Sequence, residues 1–94
     1  MAGTLVLSKN RSERLRQALQ RYCQQELGDW TASIEILPDP EFPDMLIVPV
    51  IISSAFSKMS EAERQDSIWK FLRNDQGVMR EDFSGISRIA TRVD

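Results

Sequence analysis

Apolar residues at Leu15, Ala18, Leu19, Tyr22, Cys23 and Leu27 recur at the three- and four-residue spacing of one helical face, while Arg14, Arg16, Gln17, Gln20, Arg21 and Gln24 fall mostly elsewhere. The pattern predicts an amphipathic helix over about residues 11–27, opened by Asn10 with Glu13 in a capping box and closed by Gly28 in a left-handed conformation. Residues 1–10 then read as a flexible N-terminal arm. From Trp30 the period drops to two. Trp30, Ala32, Ile34 and Ile36 would point one way and Thr31, Ser33 and Glu35 the other, as in a half-buried strand. Pro38, Pro40 and Pro43, set among Asp39, Glu41 and Asp44, cannot extend a ladder and predict a hairpin loop. The chain returns as MLIVPVIIS, a nearly continuous apolar run that suits a central strand. Pro49 removes a ladder donor in its middle and points to a bulge or an edge there.

Ser60 followed by Glu63 forms a second capping box, and Ala62, Ile68, Trp69 and Leu72 give a core-facing stripe on a helix of about residues 61–73. Asn74 to Gly77 ends that helix, and residues 78–85 leave room for a short helical turn. Ile86 to Val93 alternates again, with Ile89, Thr91 and Val93 opposite Arg88, Ala90 and Arg92. The expected fold is α+β in the order α-β-β-α-β. A hairpin is followed by a right-handed crossover that brings the third strand in parallel, giving a small three-stranded mixed sheet with both helices on one face. Leu19, Ile34, Ile68 and Trp69 are the expected core.

Ninety-four residues make one domain over 1–94, with a single modest core. The longest apolar run, Met45 to Ile52, is far short of the roughly 20 residues that span a bilayer. The N-terminus lacks the pattern of a signal peptide, so no membrane association and a cytoplasmic location are expected. A lone cysteine and no histidine leave neither a disulfide nor a zinc site, and Cys23 falls on the apolar helix face, where a buried structural thiol is expected. Net charge is −2, unevenly spread: residues 1–27 hold five basic groups against two acidic ones, and residues 28–44 hold five acidic groups and no basic one.

The stretch VIISSAFSKMSEAERQDSIWKFL resembles the centre of the BolA family, which has a hydrophobic strand ending in serine, then a phenylalanine, a short turn and a helix. Ser53, Phe56, Arg64, Ile68, Trp69 and Leu72 take the corresponding positions without a gap, and ISRIATR resembles the family's last strand. With the first helix included, the likeness covers most of the chain and implies the BolA-like, class II KH-like arrangement. In that family a histidine late in the third strand is associated with an iron-sulfur cluster shared with a monothiol glutaredoxin. Here the matching position is Arg92, whose guanidinium has no lone pair to offer iron, and Gln65 replaces the helix-entry histidine. Cluster ligation is therefore not implied, and no cofactor or metal is expected.

KH-like folds clamp nucleic acid with a GXXG turn, where this chain reads SKMS, with Ser57 and Ser60 as weak phosphate binders at best. Asp39, Glu41 and Asp44 lack the ligand number and glycine of an EF-hand calcium loop. Without histidine no nucleophile-base pair stands out, so catalysis is not expected. The leading expectation is a non-catalytic binding or adaptor protein whose partner is another protein. The alternative is a weak nucleic-acid-binding regulatory domain. Ser53, Ser54, Lys58, Arg64, Arg88 and Arg92 are the candidate partner-binding residues, with Ser53, Ser54, Lys58 and Arg92 expected to gather at the sheet edge where strands two and three end, near Arg88. The oligomeric state is not legible from the chain.

Overall fold

The computed structural model describes residues 2–75 and 77–93, with side chains described from residue 11 onward. Helix α1 spans Ala2–Gln25, strand β1 Ser33–Pro38 and strand β2 Ile47–Ile52. A 3-10 turn over Ser54–Lys58 leads to α2, Glu61–Asn74, followed by the short α3, Arg80–Ser84, and strand β3, Ala90–Arg92. The sheet order is β1-β2-β3, with β1 antiparallel and β3 parallel to the central β2. The α-β-β-α-β order and the mixed three-stranded sheet are those expected from the chain. Among the described residues, no helix is long and apolar enough to cross a membrane.

The first helix starts earlier than its apolar stripe suggests. Residues 2–10, read as an arm, are helical, and Asn10 lies inside the helix rather than at its cap. Past Gly3 no glycine or proline interrupts the chain until Gly28, so nothing local stops the helix there. Gly28 does adopt a positive φ of 64°, and the chain reverses through it. Met1, part of the expected arm, and Gln76, within the expected end of α2, lie outside the described residues.

Leu15, Leu19 and Tyr22 of α1 and Ile68 and Leu72 of α2 pack with Ile34 and Ile51, which are cross-strand partners, so both helices cover one face of the sheet. Trp69 departs from the expected core. It is half-buried at the edge of the cluster, stacks on Phe83 of the α3 segment at 6.3 Å between ring centroids, and donates its indole N–H to Gln65. Trp30 departs further, at 76% exposure. β1 begins only at Ser33, because Asp29 Oδ1 accepts hydrogen bonds from the Thr31 N–H at 2.9 Å and the Thr31 hydroxyl at 2.8 Å, holding Trp30 in a turn.

Pro49 sits in neither a bulge nor an edge strand: it pairs in register with Ile36 in the central strand and is fully buried. Its missing donor is matched on the β3 side. The N–H and C=O of Ile47 bond to Gly85 and Ser87, at 2.8 Å and 3.0 Å, and Ser53 N–H bonds to Arg92 at 3.0 Å. Alternation turns the Pro49 nitrogen to that same side, opposite the gap between the Ile47–Ile86 bridge and the first β3 pair, Val50–Ala90. The ladder to β3 is interrupted where the donor is absent.

Candidate functional site

Register places the expected partner-binding residues at two ends of the sheet, not one. Ser33 pairs with Ile52 at one end and Pro38 with Ile47 at the other. Ser53, Ser54, Lys58, Arg64 and Arg92 lie at the first end, where β2 runs into the 3-10 turn and β3 finishes. Arg88 does not join them. It follows the Ile47–Ile86 bridge at the hairpin-loop end, where the Asp39 carboxyl is held below its ordinary range first by the Ser87 hydroxyl, then by the Glu41 N–H and least by the Arg88 charge. Strand β3 is only three residues long, so the positions before it still belong to the opposite end of β2.

Ser53 is 1% exposed. Its hydroxyl donates to Asp29 Oδ2 at 2.6 Å and accepts from the Ala55 N–H at 3.1 Å, capping the 3-10 turn. The Ser53 hydrogen bond, followed by those from the Thr31 N–H and hydroxyl, holds the Asp29 carboxyl below its ordinary range. A carboxylate so stabilised is a weak proton acceptor, and the hydroxyl beside it is closed to solvent. This serine-aspartate pair ties three segments together and presents no nucleophile.

Arg64 is also spent internally, with its side chain only 16% exposed. Its guanidinium donates to the Phe56 carbonyl at 2.8 Å, the Met59 carbonyl at 3.2 Å and the Thr91 hydroxyl at 3.2 Å, and lies 5.4 Å from the Phe56 ring centroid. Gln65 extends the same pin, donating to the Ile89 carbonyl at 2.8 Å and to Glu61 at 2.9 Å. Glu61 is held below its ordinary pKa by donors, first Gln65, then Thr91. Arg64 and Gln65 thus lock the start of α2 onto the 3-10 turn and β3. The sequence carried a signal for Arg64: it stands four and eight residues before Ile68 and Leu72, on the apolar stripe itself.

What remains at the surface of this end is Ser54, Lys58 and Arg92, all exposed, with Trp30 and Val93 exposed beside them. Trp30 belongs here because its neighbour Asp29 is bonded to Ser53, whose N–H in turn bonds to Arg92. Neither Lys58 nor Arg92 forms an ion pair among the described residues. Trp30 escaped the sequence reading because alternation placed it inside.

The remaining chemistry-bearing groups lie elsewhere. Cys23 is buried in the core, where desolvation pushes its thiol up to about 11. The Tyr22 hydroxyl is paired with the Ser67 hydroxyl at 2.5 Å. Arg14 grips the buried Asp82 of α3 through two hydrogen bonds, at 2.7 Å and 3.2 Å. Among the described residues, no cluster of three cysteine or carboxylate side chains has the geometry to hold a metal ion. Comparison of the chain with protein-family models, with curated proteins and with solved structures gives no match.

Proposed function

We propose that this chain is a small non-catalytic binding or adaptor protein of BolA-like fold, and that its partner, another protein, docks where the 3-10 turn and the end of β3 meet. One observation carries the reading: Lys58 and Arg92 stand exposed and unpaired among the described residues on a rim whose inner residues, Ser53 and Arg64, are engaged within the fold. Rim charges on a braced backbone cost little to leave in water and can anchor a partner by charge. The BolA-like part of the reading rests on the element order and on Ser53, Phe56, Arg64, Ile68, Trp69 and Leu72.

The family's iron-sulfur cluster is not part of the proposal, because the donors do not fit. The Arg92 guanidinium has no lone pair to offer iron, while Cys23 is enclosed in the core as a thiol. A buried, unpaired thiol goes with a reducing compartment, and a cytoplasmic location belongs to the same reading. The alternative reading, weak nucleic-acid binding, is favoured by Trp30, an exposed ring at the same end of the sheet as Lys58 and Arg92, on which a base could stack.

Affinity capture from the native cell, scoring protein and nucleic acid together, tests both. The full chain should retain a protein that the folded Lys58→Glu, Arg92→Glu variant loses. If that variant recovers everything the wild type does, the surface has been placed at the wrong end. Recovery of nucleic acid alone moves the reading to the alternative.

A further inference from the structure

The two ends of the β1–β2 hairpin expose opposite charge together with apolar side chains. Six paired residues, about 20 Å of strand, separate them. At the rim end stand Trp30 at 76% and Val93 at 47% exposure, with Lys58 and Arg92. At the loop end stand Phe42 at 51% and Met45 at 75% exposure, with Glu41 and Asp44, both exposed and in no ion pair among the described residues.

The loop, residues 39–46, is braced from within. Asp39 accepts from the Glu41 N–H at 2.7 Å, the Phe42 N–H at 3.3 Å and the Ser87 hydroxyl at 2.5 Å. Asp39 N–H bonds to the Leu46 carbonyl at 3.0 Å, and the Phe42 carbonyl accepts from Met45 and Leu46 at 3.1 Å and 2.9 Å. Pro40 and Pro43 restrict what is left. A connection that merely reverses the chain has no need to hold a phenylalanine and a methionine in water. Because this one is already ordered, docking it forfeits little conformational entropy. Asp39 is taken up by those three donors, so the carboxylates left to act outward are those of Glu41 and Asp44.

We propose that the loop of one copy docks on the rim of a second copy, head to tail, with Phe42 and Met45 packing on Trp30 and Val93 while Glu41 and Asp44 meet Lys58 and Arg92. The proposal rests on the reading of that rim as a partner surface. The chain itself supplies the complementary segment, matched in charge and apolar character and already ordered. Donor and acceptor patches differ, so the contact is heterologous, and stacked head to tail it continues from copy to copy instead of closing at two.

Sedimentation of the full chain from about 10 μM to about 1 mM tests this. The average mass should rise past that of two 10.8 kDa chains at low salt and fall again in about 0.5 M NaCl, where surface charge is screened. Two double variants, Glu41→Lys with Asp44→Lys and Lys58→Glu with Arg92→Glu, should each associate about tenfold more weakly or not at all, since like charges then meet. Mixed in equal amounts they should associate again, because each swapped patch finds its opposite. Circular dichroism melts should show both variants folded.

A monomer at every concentration in low salt, a closed dimer, or association indifferent to the swaps would overturn the proposal. A monomeric wild type whose rim variant still loses a captured protein would defeat self-docking and leave the rim as a partner surface. If the rim variant loses nothing either, both readings fall.

Discussion

Ser53 Oγ lies 2.6 Å from Asp29 Oδ2, and this hydrogen bond fastens the end of β2 to the turn that follows α1. Since the Ser53 N–H also bonds to Arg92, one residue joins the helix-to-sheet turn, the central strand and the edge strand. The rim is built on that junction, and the backbone that carries its exposed side chains is fixed by groups that are themselves out of reach.

Ser53→Ala should therefore destabilise the fold without acting as a binding mutation. Loss of the cap on the 3-10 turn costs about 0.5 to 2 kcal/mol, read by chemical denaturation. An unchanged midpoint would show that the junction carries no stability.

Acid should weaken the protein through its hydrogen-bonded carboxylates. Asp29, Asp39, Glu61, Glu63 and Asp75 all lie below their ordinary values, 3.8 for aspartate and 4.5 for glutamate. A folded pKa below the unfolded one gives stability that is complete above the unfolded value and lost as pH falls through the folded value. Melting temperature should hold down to about pH 5 and then drop toward pH 2, with a shallower drop for Asp29→Asn. A flat profile to about pH 2 would contradict the assignment.

Arg64 and Arg92 should behave as opposites. Arg64→Ala frees the Phe56 and Met59 carbonyls and should cost about 1.5 to 3 kcal/mol, with Arg64→Lys a poor rescue because a single ammonium cannot reproduce the fork. Arg92→Ala and Lys58→Ala should stay within about 0.5 kcal/mol of wild type. Equal losses at Arg64 and Arg92 would mean that the pin has been misassigned.

Core truncations set the scale for these effects. Leu19→Ala and Ile68→Ala, at positions with no exposure, should each cost about 2 to 5 kcal/mol, and Leu72→Ala should fall in the same range. Trp30→Ala should leave stability nearly untouched, and a large loss there would place its ring against the fold.

Reconstitution of an iron-sulfur cluster in the presence of a monothiol glutaredoxin should give no mixed complex, since neither Arg92 nor the buried Cys23 is a usable donor. A cluster absorption band that requires this chain and survives Cys23→Ser would refute that.

Periodicity by itself determined most of the architecture. Spacing of three and four identified the packed face of α1 and, in Ile68 and Leu72, that of α2, although Ala62 of the same expected stripe is exposed; the Ser60–Glu63 box marked the start of α2, and Gly28 marked the turn after α1. These are local: each depends on residues within a turn or two of one another, so the chain states them directly. Register, by contrast, was decided in three dimensions. Pro49 looked like an edge or bulge signal, yet it occupies the central strand because the interrupted β3 ladder asks nothing of its nitrogen. The same register sent Arg88 to the loop end and Arg92 to the rim, although alternation puts both on one face of the segment. Polar residues divided likewise: Ser53 looks no different from Ser54 in composition and only its distant partner, Asp29, turned it inward, while Arg64 differs from Lys58 in standing on the apolar stripe, where the Phe56 and Met59 carbonyls take up its donors. Hydrophobic spacing specifies which faces are buried, but whether a polar side chain is spent or left free depends on which acceptors the folded chain brings within about 3 Å of it.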